Sequence, residues 1–193
     1  MMTLNRSRAQ NCSLLAIAGS AGSFNDMIEW VKQLTNLTLV IVIHRNNQHK
    51  SNLVGLMEYF TKAQVKEAED DESIQKGTIY IAPAGFHLTV GPNNRWQLLD
   101  TEPVWYCKPA IDMLLSSMAN QYKENCGAIL LSGANEDGAA GLREIREEGG
   151  VSLCIHPEQA EYAMMPLAAQ KKQSAEFYFK REDIGELAKL FRT

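Results

Sequence analysis

The chain lacks the features that would place it in several large classes. Its four cysteines, at positions 12, 107, 126 and 154 of 193, are too scattered for a zinc or redox spacing, and no metal site is expected. No stretch rich in proline or glycine divides the sequence, and no repeat or low-complexity tract is evident. No apolar run approaches the ~20 residues of a membrane span, so no membrane insertion is expected. Nineteen basic residues against 23 acidic ones leave a formal net charge of −4, which gives no general attraction to nucleic acid. The opening, Met1-Met2-Thr3-Leu4-Asn5-Arg6-Ser7-Arg8, has no apolar core of the kind a secretion signal needs. Residues 1–12 are therefore expected as a flexible polar lead, residues 13–193 as one domain, and a reducing cytoplasm as the setting. Cys154 sits in an apolar run and reads as a small core residue.

What is present is an alternation of apolar runs and helical patterns. Strands are expected from Leu14, at Leu39 to Ile43, Thr78 to Ile81, Ala128 to Leu131 and Val151 to Ile155, with short ones near Val65 and at Glu176 to Phe179. Between them, Phe24, Met27, Ile28, Val31 and Leu34 share one helical face, as do Leu53, Leu56, Met57 and Phe60. Further helices carry Ile111 to Met118 after Pro109, Ala140 to Ile145 before the stop Gly149-Gly150, Met164 to Gln170 and Ile184 to Phe191. Leu88 to Val90 and Trp96 to Leu99 flank Gly91-Pro92-Asn93-Asn94 and predict a small β-hairpin. The pattern predicts an α/β fold: a three-layer α/β/α domain with a mostly parallel sheet. The acidic run Glu67 to Glu72 reads as a solvated loop.

The segment Leu14-Leu15-Ala16-Ile17-Ala18-Gly19-Ser20-Ala21-Gly22-Ser23 is the most informative. An apolar strand ends in a turn of small residues with a serine at its tip, and a helix follows at once. Ligands of open α/β sheets bind at such strand ends, and free N–H groups at a helix start stabilise a negative oxygen. Ser20 is thus a nucleophile candidate. The same turn also suits a helix cap by Ser20 or Ser23, or a phosphate cradle, and on this segment alone that reading is favoured. A P-loop is excluded because no lysine follows until Lys32, and a dinucleotide fingerprint fails on glycine spacing.

Two other strand ends offer partners. His44 follows the strand Leu39–Ile43, and Asp137 follows Ala128–Leu131 within Ser132-Gly133-Ala134-Asn135-Glu136-Asp137-Gly138. A parallel sheet puts all three junctions on one edge. Histidine can take the proton of a serine near neutral pH, and an acid can hold the imidazole in the useful tautomer. Taken singly, His44 also reads as a strand-end histidine satisfied by backbone, and Asp137 as a helix N-cap. His87, at the start of the hairpin, is placed as lining the cleft; His49 and His156 are weaker candidates. The order Ser…His…Asp differs from the Ser…Asp/Glu…His of α/β-hydrolases.

At these residues the chain resembles the catalytic domain of the CheB-type protein-glutamate methylesterases of bacterial chemotaxis. The resemblance rests on Ile17-Ala18-Gly19-Ser20-Ala21-Gly22-Ser23, on Ile41-Val42-Ile43-His44 and on Leu131-Ser132-Gly133-Ala134-Asn135-Glu136-Asp137-Gly138. Ala139-Ala140-Gly141-Leu142, Glu148-Gly149-Gly150, Ile81 to His87, Lys108-Pro109-Ala110-Ile111-Asp112 and Ala163-Met164-Met165-Pro166 add to it. It implies hydrolysis of glutamyl methyl esters on methyl-accepting chemoreceptors, and deamidation of receptor glutamine, with no cofactor. It implies Ser20 as nucleophile, His44 as base, Asp137 as orienting acid, and backbone N–H groups at Ala21 or Ala134 facing the oxyanion. The family's receiver domain is not expected, because about a dozen residues precede the first strand where a receiver needs on the order of a hundred. A separate regulatory protein is expected in its place. Ala21, Ala134, Asn135 and Ile43 depart from the family's usual residues, as do Arg45-Asn46 after the histidine. Those departures motivate an alternative, a CheB-like binding or adaptor domain with weak or no catalysis.

Overall fold

A computed structural model of the chain describes residues 6–34, 36–44 and 52–191. Arg45, Asn46 and His49 lie outside the described residues.

In chain order the elements are α1 (Arg6–Asn11), β1 (Leu14–Gly19), α2 (Phe24–Gln33), β2 (Leu39–Ile43), α3 (Leu53–Glu58), β3 (Val65–Glu67) and β4 (Ile79–Ile81). The hairpin β5 (His87–Gly91) and β6 (Arg95–Leu99) follows, then α4 (Ile111–Tyr122), β7 (Cys126–Leu130), α5 (Ala139–Glu147) and β8 (Val151–Ile155). The chain closes with α6 (Met164–Lys171), β9 (Phe177–Phe179) and α7 (Ile184–Leu190). Seven strands form one sheet in the order β3-β4-β2-β1-β7-β8-β9, and every pairing in it is parallel. The antiparallel hairpin stands apart as a two-stranded sheet. The three-layer fold and the hairpin therefore match the sequence reading. The lead does not: residues 6–11 form α1, with Ala9 buried and Arg8 paired to Glu176 and bonded to the Gly149 carbonyl. A polar six-residue helix has no apolar periodicity to announce it; its tertiary contacts hold it.

Strand alternation builds two cores. Leu14, Ala16 and Ala18 point to the layer that holds α4, α5, α6 and the hairpin, where Trp96 meets Tyr80 edge-on at 5.2 Å. Leu15 and Ile17 point to the opposite layer, with Met27 and Trp30 of α2, Leu187 of α7 and Leu53 of α3. Strands buried on both faces need continuous apolar runs, as Leu39-Val40-Ile41-Val42-Ile43 supplies. At the end of α5, Gly149 takes φ +87° and donates to the Arg146 carbonyl, and Gly150 donates to that of Ile145. This double bond is a Schellman stop, which frees the chain to enter β8.

Winding runs from β1 outward to β2 and its neighbours, then resumes on the other side of β1 at β7. The carboxyl end of β1 thus lies between those of β2 and β7, the place where open parallel sheets form crevices. Among the described residues no helix is long and apolar enough to cross a membrane.

Candidate active site

Three strand ends meet at this crevice. The Ser20 N–H donates to the Ser132 carbonyl at 2.8 Å, joining the end of β1 to that of β7. The His44 N–H donates to the Gly19 carbonyl at 3.3 Å, joining β2 to β1. Ser132, buried after β7, donates its hydroxyl to the Ala21 carbonyl and accepts from the Tyr162 N–H, both at 2.8 Å. The serine turn is therefore fastened on two sides. Gly22 takes φ +73°, and a Cβ there would come within 2.6 Å of Glu161, so the turn requires glycine.

Helix α2 does not use Ser20 as its cap. Ser23 is the N-cap residue, and its buried hydroxyl donates to the Ser20 carbonyl at 2.6 Å instead of accepting from the helix. Ser20 is half-buried, and its own hydroxyl makes no hydrogen bond among the described residues.

His44 and Asp137 are brought together. Nε2 of His44 lies 2.7 Å from Oδ2 of Asp137. The Asp137 side chain is fully buried, and it also accepts the backbone N–H groups of Ile111 (2.7 Å) and Asp112 (2.9 Å) at the start of α4. A carboxylate only accepts, so Nε2 carries the imidazole proton. Nδ1 is then the basic nitrogen of the neutral ring, and it is buried with no hydrogen-bond partner among the described residues. An unmatched buried acceptor is costly in a native fold, and such atoms concentrate where a reaction uses them. Nδ1 makes no bond to Ser20; the pair is joined through backbone, with the side chains unlinked.

Asp137 has a counterpart that the sequence reading did not single out. Asp112, in the first turn of α4, accepts the Gly141 N–H of α5 at 2.8 Å and the Trp105 indole N–H at 3.3 Å. Each carboxylate thus satisfies N–H groups at the start of the other's helix, where helix dipoles favour negative charge. Burial pushes the Asp112 carboxyl above the usual range; the Gly141 N–H opposes this and the nearby Asp137 charge adds to it. The only sequence signal was the placement of Asp112 just after Pro109, at the start of a helix.

The remaining candidates divide. Ala21 and Ala134 are exposed at the crevice, and neither N–H has a hydrogen-bond partner among the described residues. His87 does not line the cleft. It is fully buried, Nε2 lies 3.0 Å from the Glu102 carbonyl, and Nδ1 accepts the Ala110 N–H at 3.1 Å. Both ring nitrogens serve the backbone, so His87 braces the residue before α4. His156 lies 3.6 Å from Glu158 in the turn after β8. Cys107 accepts from Asn135 Nδ2 at 3.4 Å, and its thiol is held up by burial first and by the Asp137 charge second. Beside Ile43, an apolar cleft of about 680 Å³ is lined by Phe24, Leu53, Leu56 and Tyr59.

Comparison with known proteins agrees with this architecture. The description of the CheB methylesterase family matches residues 15–188. A protein of Leptospira interrogans, provisionally named a protein-glutamate methylesterase/protein-glutamine glutaminase, is 32% identical over 180 residues, covering 92% of this chain and 93% of its own. A protein-glutamate methylesterase/protein-glutamine glutaminase of Clostridium acetobutylicum is 26% identical over 192 residues, and the match covers 56% of that longer protein. The crystal structure of the Thermotoga maritima CheB methylesterase catalytic domain superposes with a TM-score of 0.85 at 25% identity, covering 92% of this chain and 97% of that one. The chain belongs to the CheB methylesterase family.

Proposed function

We propose that this protein is a serine hydrolase that removes methyl groups from glutamyl esters of a chemoreceptor-type protein and deamidates glutamine at the same site. The observation that carries the reading is the 2.7 Å contact of His44 Nε2 with Asp137, which leaves Nδ1 as a buried, unspent base one strand from Ser20. The names of the Leptospira and Clostridium relatives support the substrate class.

The chemistry is acyl transfer in two steps. The Ser20 hydroxyl attacks the ester carbonyl carbon while His44 Nδ1 accepts its proton. The carbonyl oxygen becomes an oxyanion, for which the free N–H groups of Ala21 and Ala134 are the candidate donors. The C–O bond to the methoxy group then breaks, and the His44 proton leaves with it as methanol. Water loses a proton to His44 and attacks the glutamyl-serine ester, the Ser20 oxygen regains that proton, and free glutamate is released. With glutamine, ammonia departs in place of methanol. Asp137 fixes the tautomer and stabilises the imidazolium that forms.

The chain spans one catalytic unit, residues 13–193, with α1 packed on it. The four free cysteines fit a reducing compartment, and we place the protein in the cytoplasm. The unlinked Ser20 and His44 side chains favour the rival reading, a non-catalytic adaptor. A fluorophosphonate probe decides between them: stoichiometric labelling at Ser20 supports the hydrolase, and no labelling of the folded protein supports the adaptor. Ser20→Ala is expected to lower turnover of a methylated chemoreceptor fragment at least ~10³-fold. Unchanged turnover refutes the assignment.

A further inference from the structure

The segment between β6 and α4 carries an unusual turn. Val104 and Cys107 pair in both directions, with Val104 N–H to the Cys107 carbonyl at 3.2 Å and Cys107 N–H to the Val104 carbonyl at 2.9 Å. The two residues between them, Trp105 and Tyr106, both take left-handed conformations, with φ +52° and +59°. Such two-residue loops normally carry asparagine and glycine, which reach positive φ at little cost. Bulky aromatic residues there are strained, and strain of this kind persists where it serves a site. Neither ring is spent on the core: Tyr106 is fully exposed and Trp105 is 45% exposed.

The turn is bolted to the catalytic loops. The Trp105 indole donates to Asp112, whose backbone N–H holds Asp137. Cys107 accepts from Asn135, two residues before Asp137. Next to Cys107, the Lys108 carbonyl accepts the Gly85 N–H, which ties the residue before the exposed Phe86 to the chain leaving the turn. Tryptophan and tyrosine on rigid supports are the side chains that most often anchor protein partners, because they offer a large amphipathic surface with few torsions to freeze.

We infer that the Trp105–Tyr106 turn is a recognition element that grips the polypeptide flanking the susceptible glutamyl ester. The inference rests on the hydrolase reading above and adds the surface that separates a protein substrate from a small ester. The occupant is the substrate chain because the turn is continuous with the crevice through Asp112 and Asn135. On this reading a small ester engages Ser20 alone, whereas a polypeptide that presents its side chain to Ser20 also meets the turn.

The test compares kcat/KM for a methylated chemoreceptor cytoplasmic fragment with kcat/KM for 4-nitrophenyl acetate. In Tyr106→Ala the ratio is expected to fall about tenfold, through a higher KM for the fragment, and in Tyr106→Phe to recover most of the loss. Tyr106 has no packing role, so a folding defect is not the expected cause; circular dichroism and the melting temperature check this. An unchanged ratio overturns the inference. So does failure of the unaltered protein to bind or turn over the fragment. Dimerisation that Tyr106→Ala abolishes, with the ratio unchanged, assigns the turn to self-association and overturns it too. Fluorophosphonate labelling of Ser20 is independent of all these outcomes, so loss of this inference and loss of the hydrolase reading are told apart.

Discussion

Nε2 of His44 faces Asp137 and carries the proton, so in the proposed mechanism the nitrogen that would serve Ser20 is Nδ1. The arrangement reverses the roles that the two ring nitrogens have in chymotrypsin-like triads. Nitrogen NMR of the resting protein should show the Nε2-protonated tautomer for His44; a predominant Nδ1–H form would contradict the assignment. Asp137 does more than contact His44, since it also accepts two N–H groups of α4. Asp137→Ala should therefore abolish turnover and also lower stability by about 2–4 kcal/mol, because buried donors at Ile111 and Asp112 lose their acceptor. Chemical denaturation beside a kinetic assay measures both. A loss of activity at full stability would show that the capping bonds contribute nothing.

Helices α4 and α5 are joined at their starts by the exchanged carboxylates, Asp137 onto α4 and Asp112 onto α5. The Asp112 carboxyl sits above the usual carboxylate range because it is buried. Its folded form keeps the proton to a higher pH than the unfolded chain does. As pH rises from about 4, the ordinary carboxylate value, the unfolded state ionises first, and ionising Asp112 costs the folded state alone. Stability from this group thus falls with rising pH through that window. Asp112→Asn should remove this fall, seen in denaturation midpoints measured between pH 4 and 7; an identical slope in both proteins would refute the account.

This exchange also marks where the sequence stops being legible. Ser20 and His44 stand out because each directly follows a clear apolar strand, and Asp137 because it lies in the loop after another; the parallel sheet follows from strand–helix alternation. Asp112 and the His87 brace depend on contacts between residues 15 to 29 positions apart, which no local pattern encodes, and the Trp105–Tyr106 turn lacks the asparagine and glycine that would announce it. His87 was misplaced for that reason: its neighbours in sequence suggested a rim, while its hydrogen-bond partners, Glu102 and Ala110, lie in a later segment. Helix α1 escaped notice because its six residues are held by Glu176 and Gly149 from the far end of the chain.

Across the whole molecule, the last segment is tied back to the first helix after the serine turn. Asp26 of α2 is buried and accepts two bonds from Arg181, at 2.6 and 3.0 Å. Arg181 is half exposed, so water tempers the loss of its charge. Arg181→Met should cost about 2–3 kcal/mol, less than the ~3–5 kcal/mol of a fully enclosed pair, by leaving the Asp26 carboxylate alone in the core. Asp26→Asn in that background should restore part of the loss, and thermal melts of the single and double variants test it. A further consequence concerns descent. Because one acid both steadies the imidazole and closes a neighbouring helix, a lineage that gave up hydrolysis would still be held to aspartate at 137 by the needs of folding. Persistence of that residue among relatives is therefore a poor sign of enzymatic competence, and the fate of the serine hydroxyl is the better one.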